Sequence, residues 1–215
     1  MSTVQVIEIF HSIQGESTRA GLPCVFIRLA GCPMRCTWCD TTYAFHGGET
    51  CTIEAVLEKV RTFRCPLVDV TGGEPLAQPQ AGHLLTCLAD EGYTVLVETG
   101  GGVPIRGVDP RVILIYDIKC PDSGEEGSNL YENLDLLKPG LDEIKFVLAT
   151  RRDYAWALEM VRMRNLAARH PILFSPVLGS LDPAELGRWI LEDRAPVRLQ
   201  LQLHKVLWGA DARGV

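Results

Sequence analysis

Hydrophobic and polar residues alternate along the first part of the chain in a way that is typical of strands. Val4–Phe10 alternates apolar and polar residues, which indicates a strand with one buried face. Cys24–Ala30 is a more continuous apolar run and predicts a second strand. Thr52 then stands where its hydroxyl can cap a helix. The apolar stripe of that helix consists of Ile53, Val56, Leu57 and Val60.

Strand-like and helix-like patterns continue to alternate to the end of the chain. Asp122–Asn133, rich in Gly, Ser and acidic residues, interrupts them as a loop. Asp182 and Glu185 form a capping box, with Pro183 at the first helical position. The further predicted strands are Leu67–Val70, Tyr93–Val97, Val112–Tyr116, Glu143–Leu148, Ile172–Phe174 and Val197–Leu203. The further predicted helices are Gln80–Asp90, Arg152–Ala168 and Pro183–Asp193.

This alternation predicts an α/β protein with a parallel sheet. The chain is shorter than the roughly 250 residues of a complete eight-fold barrel, so we expect an open, partial (β/α) TIM-like barrel. The sequence shows no internal repeat, linker or low-complexity segment that would divide it. Residues 1–215 are therefore expected to form a single domain.

Composition and charge exclude several classes of partner. The chain has 215 residues, of which 47% are hydrophobic, and this is enough for a large core. The net charge of -6 and the pI of about 5.4 disfavour nonspecific nucleic-acid binding and membrane-surface binding. No apolar run approaches the roughly 18 residues of a membrane span, and the N-terminus shows no signal-peptide pattern. The eight cysteines indicate free thiols in a reducing interior, so a cytoplasmic location is expected.

Three of these cysteines lie on one short loop directly after the second predicted strand. Cys32, Cys36 and Cys39 have a C-x3-C-x2-C spacing. Three thiolates on one loop can converge on a metal centre, but a structural zinc site needs four ligands and a common iron–sulfur cluster is held by four cysteines. A cubane cluster held by only three cysteines would leave one iron open to a small molecule.

Two other interpretations of these cysteines have to be weighed. A disulfide framework is disfavoured, because the chain has a good core and no mark of secretion. A zinc site would take its fourth ligand from Cys24, His46 or Cys51, but none of these lies in a second metal-binding knuckle. The spacing therefore favours a three-cysteine cluster and leaves a zinc-stabilised interaction domain as the alternative outside catalysis. The other cysteines are expected to be small buried hydrophobic residues: Cys24, Cys51, Cys65, Cys87 and Cys120.

Several predicted strands end in polar, often glycine-rich turns, and ligands of such sheets bind at the carboxyl ends of the strands. The turn Thr71–Pro75 combines two glycines with Glu74, so backbone can approach a ligand closely beside an acceptor. A lone Gly-Gly would be an ordinary turn, but together with the cysteine spacing it favours the cluster over zinc. Arg28 stands in an apolar strand, where it is either paired within the protein or directed at an anionic ligand.

The cysteine loop and Gly72-Gly73-Glu74-Pro75 together resemble the radical S-adenosylmethionine (SAM) superfamily of enzymes. Within that superfamily, the chain is similar to the 7-carboxy-7-deazaguanine synthase family of the queuosine and 7-deazapurine pathway. The similarity extends over essentially the whole chain. Its further segments are Ile9–Glu16, Cys39–Thr41, Ser175–Leu178 and Gln202–Lys205.

The resemblance implies a 4Fe–4S cluster bound by Cys32, Cys36 and Cys39, with SAM bound at the open iron. Reduction of such a cluster cleaves SAM into methionine and a 5′-deoxyadenosyl radical, while the protein positions the reactants and excludes water. Asp117–Lys119 replaces the Ser-Pro-Lys of some family members, so backbone contacts are the firmer expectation there. The residues implied to bind SAM are Gly72, Gly73, Glu74, Glu98, Asp117, Ile118, Lys119, Ser175, Pro176, Val177 and Leu178.

The implied substrate is 6-carboxy-5,6,7,8-tetrahydropterin, which hydrogen abstraction, ring contraction and loss of ammonia convert to 7-carboxy-7-deazaguanine. Arg28 can pair with its carboxylate, and Glu16 is placed to meet the pterin amino group. Thr41 matches the position that ligates Mg²⁺, which would orient and polarise the substrate. His204 is explained equally well as a core histidine. The residues implied to bind the substrate are Ile13, Gln14, Gly15, Glu16, Arg28, Thr71 and His204.

The resemblance also implies an electron donor such as flavodoxin, and a homodimer. The second candidate among enzymes is a radical SAM activase that installs a glycyl radical on a partner protein, because it shares the cysteine spacing and a similar glycine turn. Gln14–Glu16 and Arg28 argue against the activase, since they suit a small anionic substrate better than a protein backbone.

Overall fold

One sheet of nine strands organises the part of the chain that the computed structural model describes, residues 2–210 and 212–215. Its strands are Thr3–Ile13 (β1), Pro23–Leu29 (β2), Glu49–Thr52 (β3), Leu67–Gly72 (β4), Thr94–Thr99 (β5), Ile113–Asp117 (β6), Glu143–Leu148 (β7), Ile172–Pro176 (β8) and Arg198–Leu199 (β9). The strand order is β3-β1-β2-β4-β5-β6-β7-β8-β9. Strands β2 and β4 to β9 run parallel, whereas β1 is antiparallel to β2 and β3. Since β3 and β9 lie at opposite ends, the sheet stays open, as the sequence predicts.

The α-helices of the described residues follow the strands, and the first, third and fourth begin at side-chain caps. They are Ile53–Phe63 (α1), Ala81–Asp90 (α2), Arg151–Met163 (α3), Pro183–Glu192 (α4) and Leu203–Trp208 (α5). The Thr52 side chain accepts a hydrogen bond from the Ala55 N–H at 3.2 Å, which confirms the predicted cap of α1. Asp182 caps α4 by accepting a bond from the Ala184 N–H at 2.8 Å. The predicted apolar stripe of α1 is buried: Ile53, Val56, Leu57 and Val60.

The two faces of the parallel sheet differ in chemistry, because successive side chains of a strand point to opposite sides. On the helix-covered face, Phe146 of β7 and Phe174 of β8 meet edge to face, with ring centroids 5.5 Å apart. Tyr154 of α3 packs against Phe174 in the same way. Burial of each such side chain stabilises the fold by roughly 1.5–3 kcal/mol. The opposite face carries polar groups, among them Asp69 and Lys145, and it forms the inner side of the open barrel.

Several element boundaries differ from the prediction. Strand β1 runs to Ile13, so the predicted loop after Phe10 begins three residues later. Strand β3 is short and polar and lies at the sheet edge, and for that reason it carries no hydrophobic pattern. The predicted helix Arg152–Ala168 ends at Met163, because Asn165 adopts a left-handed conformation with φ 51°. A short 3₁₀ turn follows it.

The predicted last strand, Val197–Leu203, is wrong over most of its length. Only Arg198–Leu199 pairs with β8, and Leu203 begins helix α5. Leu199 and Leu201 are both exposed, so the apolar alternation there does not face a core. The chain instead turns toward the loop after β1, where the Leu203 N–H donates to the Gly15 carbonyl at 2.9 Å.

Among the described residues, no α-helix combines the length and the apolar character that a membrane crossing requires.

Candidate active site

The cysteine loop, Gly31–Thr41, follows the carboxyl end of β2. Its three cysteine thiols are partly exposed and unpaired. Backbone bonds fasten the loop to its surroundings, from the Gly31 N–H to the Ala44 carbonyl at 2.8 Å and from the Thr37 N–H to the Ser123 carbonyl at 2.9 Å. Burial raises the pKa of the Cys32 and Cys36 thiols, and the nearby Lys119 ammonium partly offsets this. A bound metal centre would supply the positive charge that favours the thiolates.

The composition of this loop fits an iron–sulfur cluster. Three unpaired thiols on one anchored loop are the donor set that a cluster held by three cysteines needs. Within residues 2–210 and 212–215, no three His, Cys, Asp or Glu side chains lie close enough together to hold a single metal ion. The three thiols of the cysteine loop fall under the same finding, so it favours neither zinc nor the cluster.

The glycine loop, Gly72–Pro75, lies directly against the cysteine loop. The Glu74 N–H donates to the Gly31 carbonyl at 2.8 Å. A Cβ atom on Gly73 would lie 2.3 Å from the Gly31 carbonyl oxygen and 2.7 Å from Cys32 Cβ. Gly72 has φ +148°, and a Cβ atom there would lie 2.1 Å from the Leu29 carbonyl oxygen. Only glycine fits this approach of two loops.

Glu74 is fully buried, and both of its carboxylate oxygens are hydrogen-bonded within the protein. Oε2 accepts from the Gly100 N–H at 2.7 Å, and Oε1 accepts from the Leu76 N–H at 3.0 Å. The Thr99 hydroxyl donates to the same carboxylate. Burial raises the pKa of Glu74, and these donors partly offset that effect. Glu74 thus joins the glycine loop to the end of β5, and its predicted contact with SAM stays a prediction.

Two more of the predicted SAM-binding groups end neighbouring strands. The Thr71 hydroxyl donates to Glu98 Oε2 at 3.1 Å. Lys119 Nζ lies 2.9 Å from Asp117 Oδ2 and forms an ion pair with it. Burial lowers the pKa of Lys119, but the Asp117 carboxylate outweighs it and holds that pKa above its ordinary value. Ile118 is buried between them, and its N–H donates to the backbone of β7.

The remaining predicted SAM-binding segment, Ser175–Leu178, leaves the end of β8. Ser175, Pro176 and Val177 are buried, whereas Leu178 is exposed. Leu178 lines a cavity of about 450 Å³ between this segment and the C-terminal part of the chain. Its lining is mainly apolar and includes Leu181, Pro183, Leu201 and Val206.

The loop Ile13–Glu16 is predicted to bind the substrate and is therefore called the substrate loop. It lies over the inner face of the barrel. Gln14 Nε2 donates to Asp69 Oδ2 at 2.6 Å, and Gln14 Oε1 accepts from the Glu16 N–H at 3.0 Å. The Gln14 amide is therefore engaged within the protein, and its predicted substrate contact stays a prediction. Lys145 Nζ lies 2.8 Å from Glu16 Oε2. Burial would raise the pKa of Glu16, but the Lys145 ammonium outweighs it and holds that pKa below its ordinary value.

Arg28 is paired within the protein, which is one of its two predicted interpretations. Its Nε lies 2.8 Å from Glu8 Oε1, and the Tyr43 hydroxyl donates to the same oxygen at 2.8 Å. The Arg28 guanidinium also lies 5.8 Å from the centre of the Tyr43 ring. Only Nε is used by Glu8, so a contact with a substrate carboxylate through the terminal nitrogens stays a prediction.

Thr41 and His204 lie at the junction of the cysteine loop with the C-terminal part of the chain. The Thr41 hydroxyl donates to Asp40 Oδ1 at 2.9 Å. His204 is half-buried against Gly15, where a Cβ atom would lie 2.1 Å from His204 Nδ1. Burial lowers the pKa of His204. The structure thus brings His204 to the substrate loop, and its predicted substrate contact stays a prediction.

The charged groups that fasten the substrate loop and the cysteine loop were not predicted from the sequence. Asp69 and Lys145 each stand between apolar residues of a strand. Arg28 was noticed for the same reason, so the same pattern could have identified Asp69 and Lys145. Lys205 and Asp40 form an ion pair, with 2.6 Å between Nζ and Oδ2. Their separation along the chain hides this pair from any local pattern.

The chain is similar to known proteins in both sequence and fold. The family model of the Radical SAM superfamily matches residues 26–113. A 7-carboxy-7-deazaguanine synthase from Chlorobaculum tepidum is 49% identical over 214 residues, which are 99% of this chain and 97% of the relative. One from Koribacter versatilis is 41% identical over 227 residues and covers 99% of this chain and 100% of the relative. The crystal structure of QueE from Escherichia coli shows the same fold, with a TM-score of 0.78 at 24% identity over 94% of this chain and 95% of that one.

Proposed function

Because the chain belongs to the 7-carboxy-7-deazaguanine synthase family of radical SAM enzymes, we propose that it converts 6-carboxy-5,6,7,8-tetrahydropterin to 7-carboxy-7-deazaguanine with loss of ammonia. The observation that carries this proposal is the full-length similarity to the Chlorobaculum tepidum enzyme. The contact between the cysteine loop and the glycine loop supports it. Neither the glycyl-radical activase nor the zinc-stabilised domain is favoured by these relatives. The whole chain, residues 1–215, would act as one catalytic domain.

We assign Cys32, Cys36 and Cys39 as the ligands of a 4Fe–4S cluster. When bound, the reduced cluster and SAM together supply a carbon-centred radical that abstracts hydrogen from the substrate. The glycine loop is proposed to present backbone to the methionine part of SAM, from a position directly against the cysteine loop. Glu98 and the segments Asp117–Lys119 and Ser175–Leu178 complete the proposed SAM site.

The substrate is proposed to bind beside the substrate loop, on the inner side of the barrel. Arg28 would pair with the substrate carboxylate, and Glu16 and Thr71 would meet donors on the pterin edge. Glu16 already accepts a bond from Lys145, so its carboxylate is fixed before the substrate arrives. A site held in this way loses little side-chain entropy when it binds its ligand.

Mg²⁺ is proposed to bind at Thr41 together with substrate oxygens and waters. The Thr41 hydroxyl is a hard oxygen ligand of the kind that Mg²⁺ prefers. Thr41→Val removes the hydroxyl and keeps the shape. We expect this variant to require more Mg²⁺ for half-maximal rate, whereas Thr62→Val on the exposed side of α1 should not. Equal Mg²⁺ requirements would argue against the assignment.

A flavodoxin-like electron donor, a homodimer and a role of the product in queuosine synthesis for tRNA modification complete the proposal. Family membership suggests each of them, and the first two are tested as follows. Dithionite in place of flavodoxin should support fewer turnovers. Size-exclusion chromatography with light scattering should give twice the chain mass of 23.7 kDa.

The test of the proposed function is an anaerobic assay of the reconstituted protein with SAM, reductant and 6-carboxy-5,6,7,8-tetrahydropterin. We expect 7-carboxy-7-deazaguanine and ammonia in equal amounts. The matched control is Cys39→Ser, which should form neither product. Cleavage of SAM by the wild-type protein without any deazaguanine product would overturn the substrate assignment and favour the activase.

A further inference from the structure

The C-terminal segment, residues 200–208, has few hydrophobic anchors. From residue 187 to residue 210, Gln200 is the only buried residue. Leu201, Val206 and Trp208 are all at least 44% exposed. Hydrophobic burial therefore contributes little to holding this segment, and its position depends on polar contacts.

One set of these contacts joins the C-terminal segment to the substrate loop. Gln202 Nε2 donates to Glu16 Oε1 at 2.8 Å, and Gln200 Nε2 donates to Glu16 Oε2 at 3.2 Å. The Leu203 N–H donates to the Gly15 carbonyl at 2.9 Å. The segment thus bonds to both the side chain and the backbone of the substrate loop.

A second set joins the C-terminal segment to the cysteine loop. Lys205 Nζ lies 2.6 Å from Asp40 Oδ2, and Gln202 Nε2 reaches the same oxygen at 3.3 Å. Asp40 stands between Cys39, a proposed cluster ligand, and Thr41, the proposed Mg²⁺ ligand. The Lys205 side chain is 14% exposed, although the Asp40 side chain is half exposed. The lysine is therefore held in one position rather than free in solvent.

We propose that Lys205 is a positioning residue that holds the cysteine loop in register with the substrate loop. Through Asp40 it fixes the end of the cysteine loop, and through the neighbouring Gln202 and Leu203 the same segment fixes Gly15 and Glu16. This inference rests on the proposed function, because it concerns the distance between the radical source and the substrate. A displacement of about 1 Å can cost roughly 100-fold in rate.

The ion pair is expected to act on geometry and not on the stability of the fold. A partly exposed pair contributes little to the free energy of unfolding, because solvent screens it. Loss of the pair should therefore leave the protein folded and the cluster bound. The loss should appear where the two loops must cooperate, as SAM cleavage that no longer leads to product.

The test compares Lys205→Met with Lys59→Met in the cluster-loaded protein. Methionine keeps the length of the side chain and removes its charge, and Lys59 is an exposed lysine on α1 far along the chain from either loop. For Lys205→Met we expect about tenfold slower product formation, with iron content, melting temperature and SAM cleavage equal to those of Lys59→Met. The ratio of 5′-deoxyadenosine to deazaguanine product should rise accordingly. An unchanged ratio, or a loss of SAM cleavage in proportion to product, would overturn the proposal.

Asp40→Asn removes the negative charge of the same ion pair. If the ion pair carries the effect, the double variant Asp40→Asn/Lys205→Met should form product no more slowly than the worse single variant. Multiplied losses in the double variant would show that the two residues act separately, and would contradict the proposal.

Hydrogen exchange gives a readout that needs neither substrate nor turnover. In the cluster-loaded protein with SAM, Lys205→Met should speed amide exchange in residues 200–208 and in the substrate loop, but leave β7 unchanged. Unchanged exchange in both segments would overturn the proposal. If the wild-type protein formed no deazaguanine, the proposed function would fail while this exchange result would still decide whether Lys205 holds the two loops together.

Discussion

Asp69 lies on the inner face of the barrel, and no part of it is exposed. Its Oδ2 accepts from Gln14, and its Oδ1 has no hydrogen-bond partner in the described part of the chain. Burial, and after it the Glu98 carboxylate, raises the pKa of Asp69 well above its ordinary value. In the unfolded chain the pKa of Asp69 is about 4. At pH values between about 4 and the raised pKa, the folded protein binds more protons than the unfolded chain. The contribution of Asp69 to the free energy of unfolding therefore falls as the pH rises through this range.

Asp69→Asn should therefore stabilise the protein at neutral and alkaline pH. The asparagine keeps an acceptor for Gln14 and cannot ionise. Urea unfolding from pH 4 to pH 8 should show a stability gain over wild type that grows with pH. Asp135→Asn, at an exposed position, should show no such trend. A gain that shrinks as the pH rises would contradict the raised pKa.

Replacement of the Glu74 carboxylate by an amide should lower stability, unlike the same replacement at Asp69, because the Glu74 carboxylate serves only as an acceptor. Glu74→Gln puts an amide N–H₂ where backbone N–H groups of Leu76 and Gly100 already donate. One buried donor is left unsatisfied, and we expect the free energy of unfolding to fall by about 1–3 kcal/mol. Denaturant titration against the exposed Glu58→Gln measures this. Equal stabilities would mean that Glu74 does not fasten the glycine loop.

At the residue scale, sequence reasoning located loops better than contacts. The cysteine and glycine motifs name loops that do lie together, because both follow the carboxyl ends of neighbouring strands, β2 and β4. It could not foresee that Gln14 and Glu74 use their polar atoms within the protein. Their partners are Asp69 on β4 and Gly100 just after β5. Single-sequence patterns carry no information about such pairing.

At the scale of elements, the cysteine loop and the glycine loop fit only because a side chain is absent between them. Gly73→Ala places a Cβ atom 2.3 Å from the Gly31 carbonyl oxygen and must push the loops apart. Overpacking of this kind costs roughly 1–3 kcal/mol. We expect less iron and sulfide per chain after anaerobic reconstitution than in wild type.

Gly82→Ala is the matched control for that prediction. Gly82 lies within α2, and a Cβ atom there would meet nothing within 4 Å. Alanine in a helix is more stable than glycine by about 0.5–1 kcal/mol, so this variant should melt higher and bind iron normally. Normal iron binding by Gly73→Ala would show that the two loops tolerate separation.

Hydrophobic periodicity predicted the elements that face the core and failed at the edge of the sheet. Strands β4 to β8 and the helices between them carry buried apolar residues, and their presence was predicted correctly, although α3 ends five residues before its predicted end. The segment Val197–Leu203 has the same alternation but is held by polar contacts to Glu16 and Gly15. A pattern of alternating leucines does not reveal whether a core lies opposite.

At the scale of the whole molecule, the open barrel places its polar groups at one end of the strands. The alternation of strands and helices was enough to predict this architecture, because parallel strands with helical crossovers have few other arrangements. The antiparallel strands β1 and β3 were not foreseen as such, since pairing direction leaves no local pattern. Strand β1 leads directly into Ile13–Glu16, the loop that is proposed to bind the substrate.

If Cys32, Cys36 and Cys39 hold the cluster, replacement of any of these three should remove the iron, and replacement of the other five cysteines should not. Replacement of Cys32, Cys36 or Cys39 by serine should each abolish the brown colour and the bound iron. Cys51→Ser, on β3, should retain iron and sulfide near four per chain. Loss of iron in Cys51→Ser, or one zinc per chain in anaerobic wild-type protein, would contradict the ligand assignment.

If this fold directs a SAM-derived radical onto a pterin substrate, hydrogen must pass from the substrate to the 5′-deoxyadenosyl group. The most direct measurement follows deuterium from 6-carboxy-5,6,7,8-tetrahydropterin labelled at its ring carbons. The account predicts that mass spectrometry finds deuterium in 5′-deoxyadenosine, together with 7-carboxy-7-deazaguanine. Unlabelled 5′-deoxyadenosine alongside the deazaguanine product, or no deazaguanine at all, would contradict it.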